Sequence, residues 1–239
     1  MTGVLLAAGL ASRLRPLTDS LPKSLLQVGG KPILQRTLEA LHGAGIERCV
    51  IVTGYLHKKI ERFANALCLP LELAFIYNAA YEHTNNNYSL WLTREAVDGE
   101  EILLLDADIV FHRTILDRLL RSMHRDALII RKSNTLGNEE IKCELDGEGA
   151  VLRIGKYLDP SKAAGESLGI EKFSASTTRR LFEVLERRHV HNEFYEASFQ
   201  EMIDSGVRLY AIEAGNLPCM EIDTPDDLAV AEDLASNLQ

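Results

Sequence analysis

Val4-Leu5-Leu6-Ala7-Ala8-Gly9 is an apolar run closed by a glycine, and Leu10-Ala11-Ser12-Arg13-Leu14-Arg15 follows it with a hydroxyl and two guanidinium groups. Residues 4–8 have the length and composition of a buried strand, and the abrupt change after Gly9 places a polar loop at its carboxyl end. The same unit recurs downstream. Cys49–Thr53 is an apolar run closed by Gly54, Leu71–Tyr77 alternates around Glu72, and Ile102–Leu105 runs into Asp106-Ala107-Asp108. Between these strands, Lys31–Ala44, Ile60–Leu67, Ser89–Ala96 and Ile115–Met123 carry apolar residues at helical spacing, and Gly45 stops the first of them. Alternating strands and helices predict an α/β fold with a mixed, mainly parallel sheet flanked by helices on both faces. Ligands of such sheets lie beyond the carboxyl ends of the strands. Gly9–Arg15 and Asp106–Asp108 are therefore expected on one rim, although about a hundred residues separate them.

The second half has a different rhythm. Ala127–Arg131 reads as a strand, and Ile141–Leu145 and Val151–Ile154 flank Asp146-Gly147-Glu148-Gly149 as a hairpin. Leu181–Leu185 and Phe194–Ile203 read as helices and Val207–Ile212 as a strand. Asp227–Leu238 reads as an amphipathic terminal helix with Pro225 near its start. No repeat, low-complexity tract or linker interrupts the 239 residues, so one domain spanning 1–239 is expected.

Composition narrows the function classes. The chain carries 35 Asp and Glu against 26 Lys and Arg, a formal charge of −9, which argues against a nucleic-acid partner. No apolar run approaches the roughly 18 residues of a membrane span, and the N-terminus lacks the charged start of a secretory signal, so a cytoplasmic protein with no membrane partner is expected. The four cysteines are far apart and have no zinc spacing. The seven histidines are scattered and none is given a catalytic role; His189 and His191, flanking Val190, read as a solvated helix end.

The residues around the first loop suit a phosphate. Small residues after a strand let backbone N–H groups approach phosphate oxygens. Arg13 and Arg15 offer bidentate donors and Lys23 a mobile point charge. Neither GxxxxGK[ST] nor GxGxxG is present. Asp106 and Asp108, two apart on extended chain, would face one side. Read alone, this pair fits a turn or cap as well as a metal site, and Asp223, just before Thr224-Pro225, reads alone as part of a helix cap. Asn85, Asn86, Asn87 and Ser89 offer amides and a hydroxyl able to read a base edge or ribose, or to build a turn.

Leu6-Ala7-Ala8-Gly9-Leu10-Ala11-Ser12-Arg13-Leu14-Arg15-Pro16-Leu17-Thr18, followed by Pro22-Lys23-Ser24-Leu25, resembles the signature of the sugar-nucleotide and related nucleotidyltransferases, with Ala11 in place of the second glycine. Glu221-Ile222-Asp223-Thr224-Pro225-Asp226-Asp227-Leu228 resembles that family's late acidic segment. Asn78 through Trp91, with Val52-Thr53-Gly54-Tyr55, Gly165–Ile170 and Phe194-Tyr195-Glu196, resembles its phosphocholine and aminoethylphosphonate cytidylyltransferase branch. The resemblance runs almost end to end and implies a Rossmann-like nucleotidyltransferase fold. It also implies Mg²⁺-dependent transfer of CMP from CTP to a small phosphate or phosphonate monoester, releasing pyrophosphate. Leu6, Ala7, Ala8, Gly9, Ala11, Ser12, Arg13 and Lys23 would then hold the nucleotide, with Asn86, Asn87, Ser89 and Asp106. Asp108 and Asp223 would bind the metal, and catalysis would rest on these two with Arg13 and Lys23. Lys142, Glu166, Tyr195 and Glu196 would meet the acceptor. The nucleotide end falls at about residues 1–125 and the acceptor end at about 126–239. The branch often carries a tryptophan in the hairpin after the DAD strand, but Glu139-Glu140-Ile141-Lys142-Cys143-Glu144 has no aromatic residue for a choline head. Phosphocholine is therefore not singled out as acceptor. A sugar-1-phosphate or inositol-phosphate enzyme using another NTP, a glycosyltransferase and a silent regulatory subunit are the alternatives, and a homodimer is left open.

Overall fold

The computed structural model describes residues 1–133, 136–190 and 192–238; His191 lies outside them. The first half contains strands β1 (Thr2–Ala7), β2 (Gln27–Val28), β3 (Lys31–Pro32), β4 (Arg48–Thr53), β5 (Glu72–Tyr77), β6 (Ile102–Asp106) and β7 (Ile109–Phe111). Interleaved with them are helices α1 (Ile33–Gly43), α2 (His57–Ala66), α3 (Asn86–Leu92) and α4 (Thr114–Arg121). The second half adds β8 (Ala127–Arg131), β9 (Lys142–Leu145), β10 (Val151–Gly155), β11 (Gly165–Phe173), α5 (Ala175–Arg188) and α6 (Glu196–Asp204). β12 (Tyr210–Glu213), β13 (Cys219–Glu221) and α7 (Pro225–Leu234) complete it.

The main sheet runs β10-β9-β11-β6-β1-β4-β5, with β8 also on β11 and β12 beyond β8. β1 is parallel to both β4 and β6, and β4 to β5. β11 runs antiparallel to β6, β8 and β9. Alternate strand residues feed opposite cores, as the two-residue period of a strand requires. Leu5, Leu103 and Leu105 pack with Leu34 and Leu38 of α1, Ile60 of α2 and Ile115 of α4. Val4, Leu6, Ile102 and Leu104 pack with Leu90 of α3, Leu181 and Val184 of α5 and Phe199 of α6. The sheet is thus mixed and covered on both faces, as the strand–helix alternation predicts. No helix among the described residues is long and apolar enough to cross a membrane.

A third, smaller core sets up the site. Leu14, Leu26, Val28 and Ile33 from the first segment meet Val110, Ile222 and Ala231. Leu14 separates Arg13 from Arg15, and Ile222 separates Glu221 from Asp223. Burying these two apolar residues together pins two polar segments about two hundred residues apart to the same rim. β13 pairs with β7 and brings Glu221 opposite Ile109, just past Asp108. The cap question is also settled here. Thr224 caps α7, its hydroxyl accepting from Asp227 N while the Asp227 carboxylate accepts from Thr224 N. That capping box leaves the Asp223 side chain free to face the rim.

Candidate active site

A cavity of about 690 Å³ opens at the carboxyl ends of β1 and β6. Leu6, Ala7, Ala8, Gly9, Ala11, Ser12 and Arg13 line it. A Cβ on Gly9 would meet nothing within 4 Å, so the space above this residue is open to a ligand. Ala11 adopts a left-handed backbone conformation, φ 50° and ψ 45°, at the start of the short turn Ser12–Leu14. A methyl-bearing residue there costs roughly 1–2 kcal/mol. Thr18 Oγ1 donates to Ala11 O at 2.9 Å, and Tyr55 Oη donates to the carbonyls of Thr18 and Asp19, holding the loop in that shape.

Lys23, Asp108 and Asp223 converge at the centre. Lys23 Nζ donates to Asp108 Oδ2 at 2.8 Å and to Asp223 Oδ1 at 2.6 Å, and Arg13 Nη2 donates to Asp223 Oδ2 at 2.7 Å. The Lys23 side chain is 11% exposed, and each carboxylate keeps 30%. Burial alone would depress the Lys23 ammonium, but the two carboxylates outweigh it and hold its pKa above the ordinary value. Burial works against the Asp223 carboxylate, yet Lys23 and Arg13 pull its pKa below the ordinary range. Asp108 Oδ1 is buried without a hydrogen-bond partner among the described residues. A buried carboxylate oxygen left free beside a second carboxylate is a hard-oxygen donor set of the kind that Mg²⁺ takes.

Asp106 closes β6, whereas Ala107 and Asp108 form a turn rather than extended chain. The two aspartates line one cavity but serve different neighbours. Asp106 Oδ2 accepts from Tyr195 Oη at 2.7 Å. Burial, then the nearby Asp108 and Glu221, push the Asp106 carboxyl well above its usual range. Burial likewise raises Glu221 to about 8 and Glu196 to about 7. Gly169, at φ +63°, fits closely against this group: a Cβ there would lie 2.8 Å from Asp106 Oδ2 and 3.0 Å from Ile109 Cδ1. Gly169→Ala should therefore cost about 2 kcal/mol or more and lower turnover by displacing Asp106. Denaturant unfolding beside kcat checks this; wild-type values in both would show that the contact is slack.

The structure revises three assignments. Lys142 is fully buried, and its Nζ donates to the carbonyls of Gly137 and Glu140, so it braces the 137–140 loop and does not line the cavity. Tyr195 is also fully buried and reaches Asp106 rather than the acceptor space. Asn87 points into the core, accepting from Ser198 Oγ at 2.8 Å and donating to Arg188 O at 3.2 Å, which ties α3 to α5 and α6. Asn86, Ser89, Asp106, Glu166 and Glu196 do line the cavity. Asn86 Oδ1 also accepts from Tyr195 N, and Ser89 Oγ accepts from Asn78 Nδ2. Arg131, Lys156 and Glu221 line it as well and were not singled out from the sequence. Arg131 is ion-paired with Glu166 and donates to Cys219 O. The signal in the sequence is an apolar run that ends in a charge, Ala127-Leu128-Ile129-Ile130-Arg131.

The chain belongs to the family of MobA-like NTP transferase domains, whose profile matches residues 3–188, and it is a nucleotidyltransferase. It is 26% identical to a choline-phosphate cytidylyltransferase of Streptococcus pneumoniae, across 99% of both chains. It is 28% identical to a CMP-5'-(3-aminopropyl)phosphonate synthase of Streptomyces rubellomurinus over 96% of its own length, but spans only 38% of that protein. The inositol-1-phosphate CTP transferase from T. maritima shares its fold, with a TM-score of 0.83 at 24% identity over 99% of this chain and 95% of that one.

Proposed function

We propose that the chain transfers CMP from CTP to a small phosphate or phosphonate monoester and releases pyrophosphate. The observation that carries this reading is the Lys23 ammonium held between Asp108 and Asp223 at the mouth of the Gly9 loop. The likeness, over nearly the whole chain, to a choline-phosphate cytidylyltransferase and to a CMP-5'-(3-aminopropyl)phosphonate synthase supports CTP and an acceptor of this class.

The chemistry asks little of the protein beyond positioning and charge. An acceptor oxygen attacks the α-phosphorus, the bond to the pyrophosphate breaks, and no protein nucleophile is needed. The loop amides and Arg13 hold phosphate oxygens, and Lys23 turns from the carboxylates to the triphosphate. Asp108 and Asp223 would hold Mg²⁺, which supplies positive charge to the reacting phosphates. Among the described residues no group of three or more His, Cys, Asp or Glu side chains forms a metal site. An ion on these two aspartates would complete its shell from phosphate oxygens and water, as Mg²⁺ commonly does. Residues 1–125 supply most of the nucleotide end and 126–239 the acceptor end, with Asp223 returning to the nucleotide.

At the acceptor end, Arg131 and Lys156 take the place assigned to Lys142 and attract the phosphate or phosphonate. Glu166 and Glu196 face an amine or hydroxyl. Glu196 Oε2 is buried without a hydrogen-bond partner among the described residues. Its pKa is raised to about 7 by burial, opposed by its own backbone N–H and by Lys156. Tyr195, Asp106 and Glu171 are the other titratable groups behind it. Ionisation as pH rises through about 7 creates the anion that an ammonium needs. kcat/KM for aminoethylphosphonate should therefore climb between pH 6 and 8, and Glu196→Gln should flatten that climb. A wild-type profile level over this range would remove Glu196 from amine binding.

The whole reading is tested by pyrophosphate release with Mg²⁺, crossing four NTPs with phosphocholine, aminoethylphosphonate, hydroxyethylphosphonate and sugar 1-phosphates. Turnover with CTP and a phosphonate or phosphate monoester is expected. Selective use of a hexose 1-phosphate with UTP or dTTP would replace it by the sugar-nucleotide reading.

A further inference from the structure

A second cavity of about 590 Å³ lies behind the acceptor end, between the end of β10, residues 156–157 and the first turns of α6. It shares Ile141, Lys156, Phe194 and Glu196 with the main cavity, so the two are neighbouring rooms with a common wall. Its volume falls in the range of small-molecule pockets, roughly 300–1,000 Å³. Polarity is distributed unevenly within it. The interior is formed by Ile141, Ile154, Gly155 and Ala197, with the Tyr157 and Phe194 rings on its border. These two rings keep 65% and 42% exposure, and Arg153 lies over the Tyr157 ring at 5.4 Å.

The charges on the far side are already engaged. Arg188 holds Glu193 at 2.8 Å and Glu201 at 2.9 Å, and Asp204 accepts from Gln200 Nε2 at the rim. The charges left for a ligand stand at the shared wall. Lys156 Nζ lies 4.8 Å above the Phe194 ring and, among the described residues, is ion-paired with the exposed Glu139 alone, and Glu196 has its buried oxygen without a partner among them. Lys156 and Glu196 thus stand together between the main cavity and the apolar lining of the second.

We infer that the natural acceptor is longer than aminoethylphosphonate: an amine-bearing phosphonate or phosphate ester whose chain continues past the nitrogen as an uncharged, apolar segment seated in the second cavity. The inference rests on the CMP-transfer reading, which places the acceptor's anionic end at the reacting phosphates and its amine at Glu196. An apolar extension from that amine would lie along the Ile141, Ile154 and Ala197 surface, beyond the charges of the shared wall. Glu139–Glu144 carries no aromatic residue, and its Ile141 presents an aliphatic surface to both rooms.

The test is the rate of CMP transfer to 2-aminoethylphosphonate and its N-ethyl, N-butyl and N-hexyl derivatives. kcat/KM should rise with chain length, by about tenfold or more from the unsubstituted compound to N-butyl, as expected for methylenes entering an apolar pocket. Ala197→Phe, which fills the room, and Tyr157→Ala, which removes its border, should each erase that gain while leaving aminoethylphosphonate turnover unchanged. Both positions line only the second cavity, so a folding defect in one variant leaves the other to decide. Turnover of aminoethylphosphonate with no gain on lengthening overturns this inference alone. No pyrophosphate with any acceptor removes the transfer reading and this one with it. A change in molecular mass in solution on Ala197→Phe, with chain-length preference intact, would make the cavity a subunit contact instead.

Discussion

Asp108→Asn is expected to lower pyrophosphate release by about a thousandfold while leaving the protein folded. The magnitude is that of losing a preorganised charge aimed at a reacting group, about 10² to 10³ in kcat for a single donor, with the loss of a metal ligand added. The fold should survive because the side chain takes no part in the three apolar cores. Asparagine keeps an oxygen able to accept from Lys23, whose second partner, Asp223, remains at 2.6 Å. Steady-state kinetics beside a thermal melt separates the two effects. Activity within tenfold of wild type would remove Asp108 from the reacting centre, and a collapse of the melt would make it a structural residue.

Lys23→Met should produce the second large effect, and on both axes. CTP use should fall by about a hundredfold or more in kcat/KM, because the ammonium is the most enclosed cation at the phosphate end. Stability should fall too, since two carboxylates would face each other with only the exposed Arg13 to balance them. Removing one partner of a fully buried pair costs about 3–5 kcal/mol. With 30% of each carboxylate exposed, solvent screening lowers the expected cost to about 1–3 kcal/mol. The pairing makes a sharper claim testable: Lys23→Met combined with Asp108→Asn should be more stable than Lys23→Met alone, because the second change removes the repulsion left by the first. Denaturant midpoints of the two singles and the double form the cycle. Additive losses would mean that Lys23 and Asp108 do not interact in solution.

Much of this arrangement was legible in the chain, and the illegible part has a physical cause. β1, β4 and β6 are buried on both faces, so they appear as unbroken apolar runs, and their order with the helices between them fixed the sheet and its rim. β11 sits equally deep but reads Gly-Glu-Ser-Leu-Gly-Ile-Glu-Lys-Phe, because two of its charged side chains find partners inside the protein. Glu166 meets Arg131, and Lys172 Nζ donates to Ser122 O. A burial pattern that depends on such distant partners leaves no periodic trace. The loop, Lys23, Asp108 and Asp223 were found from the resemblance, and the third core explains how they meet.

Lys142, Tyr195 and Asn87 went astray for a different reason. Each is a chemically suitable residue in a suggestive segment, but sequence does not give the direction of a side chain near the end of a strand or in a first helical turn. Lys142 turned to the 137–140 carbonyls, Tyr195 to Asp106 and Asn87 to Ser198. Tyr195 still bears on the site, through Asp106. The replacements, Arg131 and Lys156, are a strand-end arginine and a loop lysine that look like ordinary surface charges until the cavity is seen.

The proposed transfer requires one event: a triphosphate draws Lys23 away, and the two aspartates it held together become ligands of the same divalent ion. A crystal structure of the chain with Mn²⁺ and a non-hydrolysable CTP analogue, with the ion located by its anomalous scattering, tests this most directly. The account predicts Mn²⁺ bound by both Asp108 and Asp223, with Lys23 Nζ on a phosphate oxygen. Mn²⁺ held by the phosphates alone, with Lys23 still bridging the two carboxylates, would contradict it.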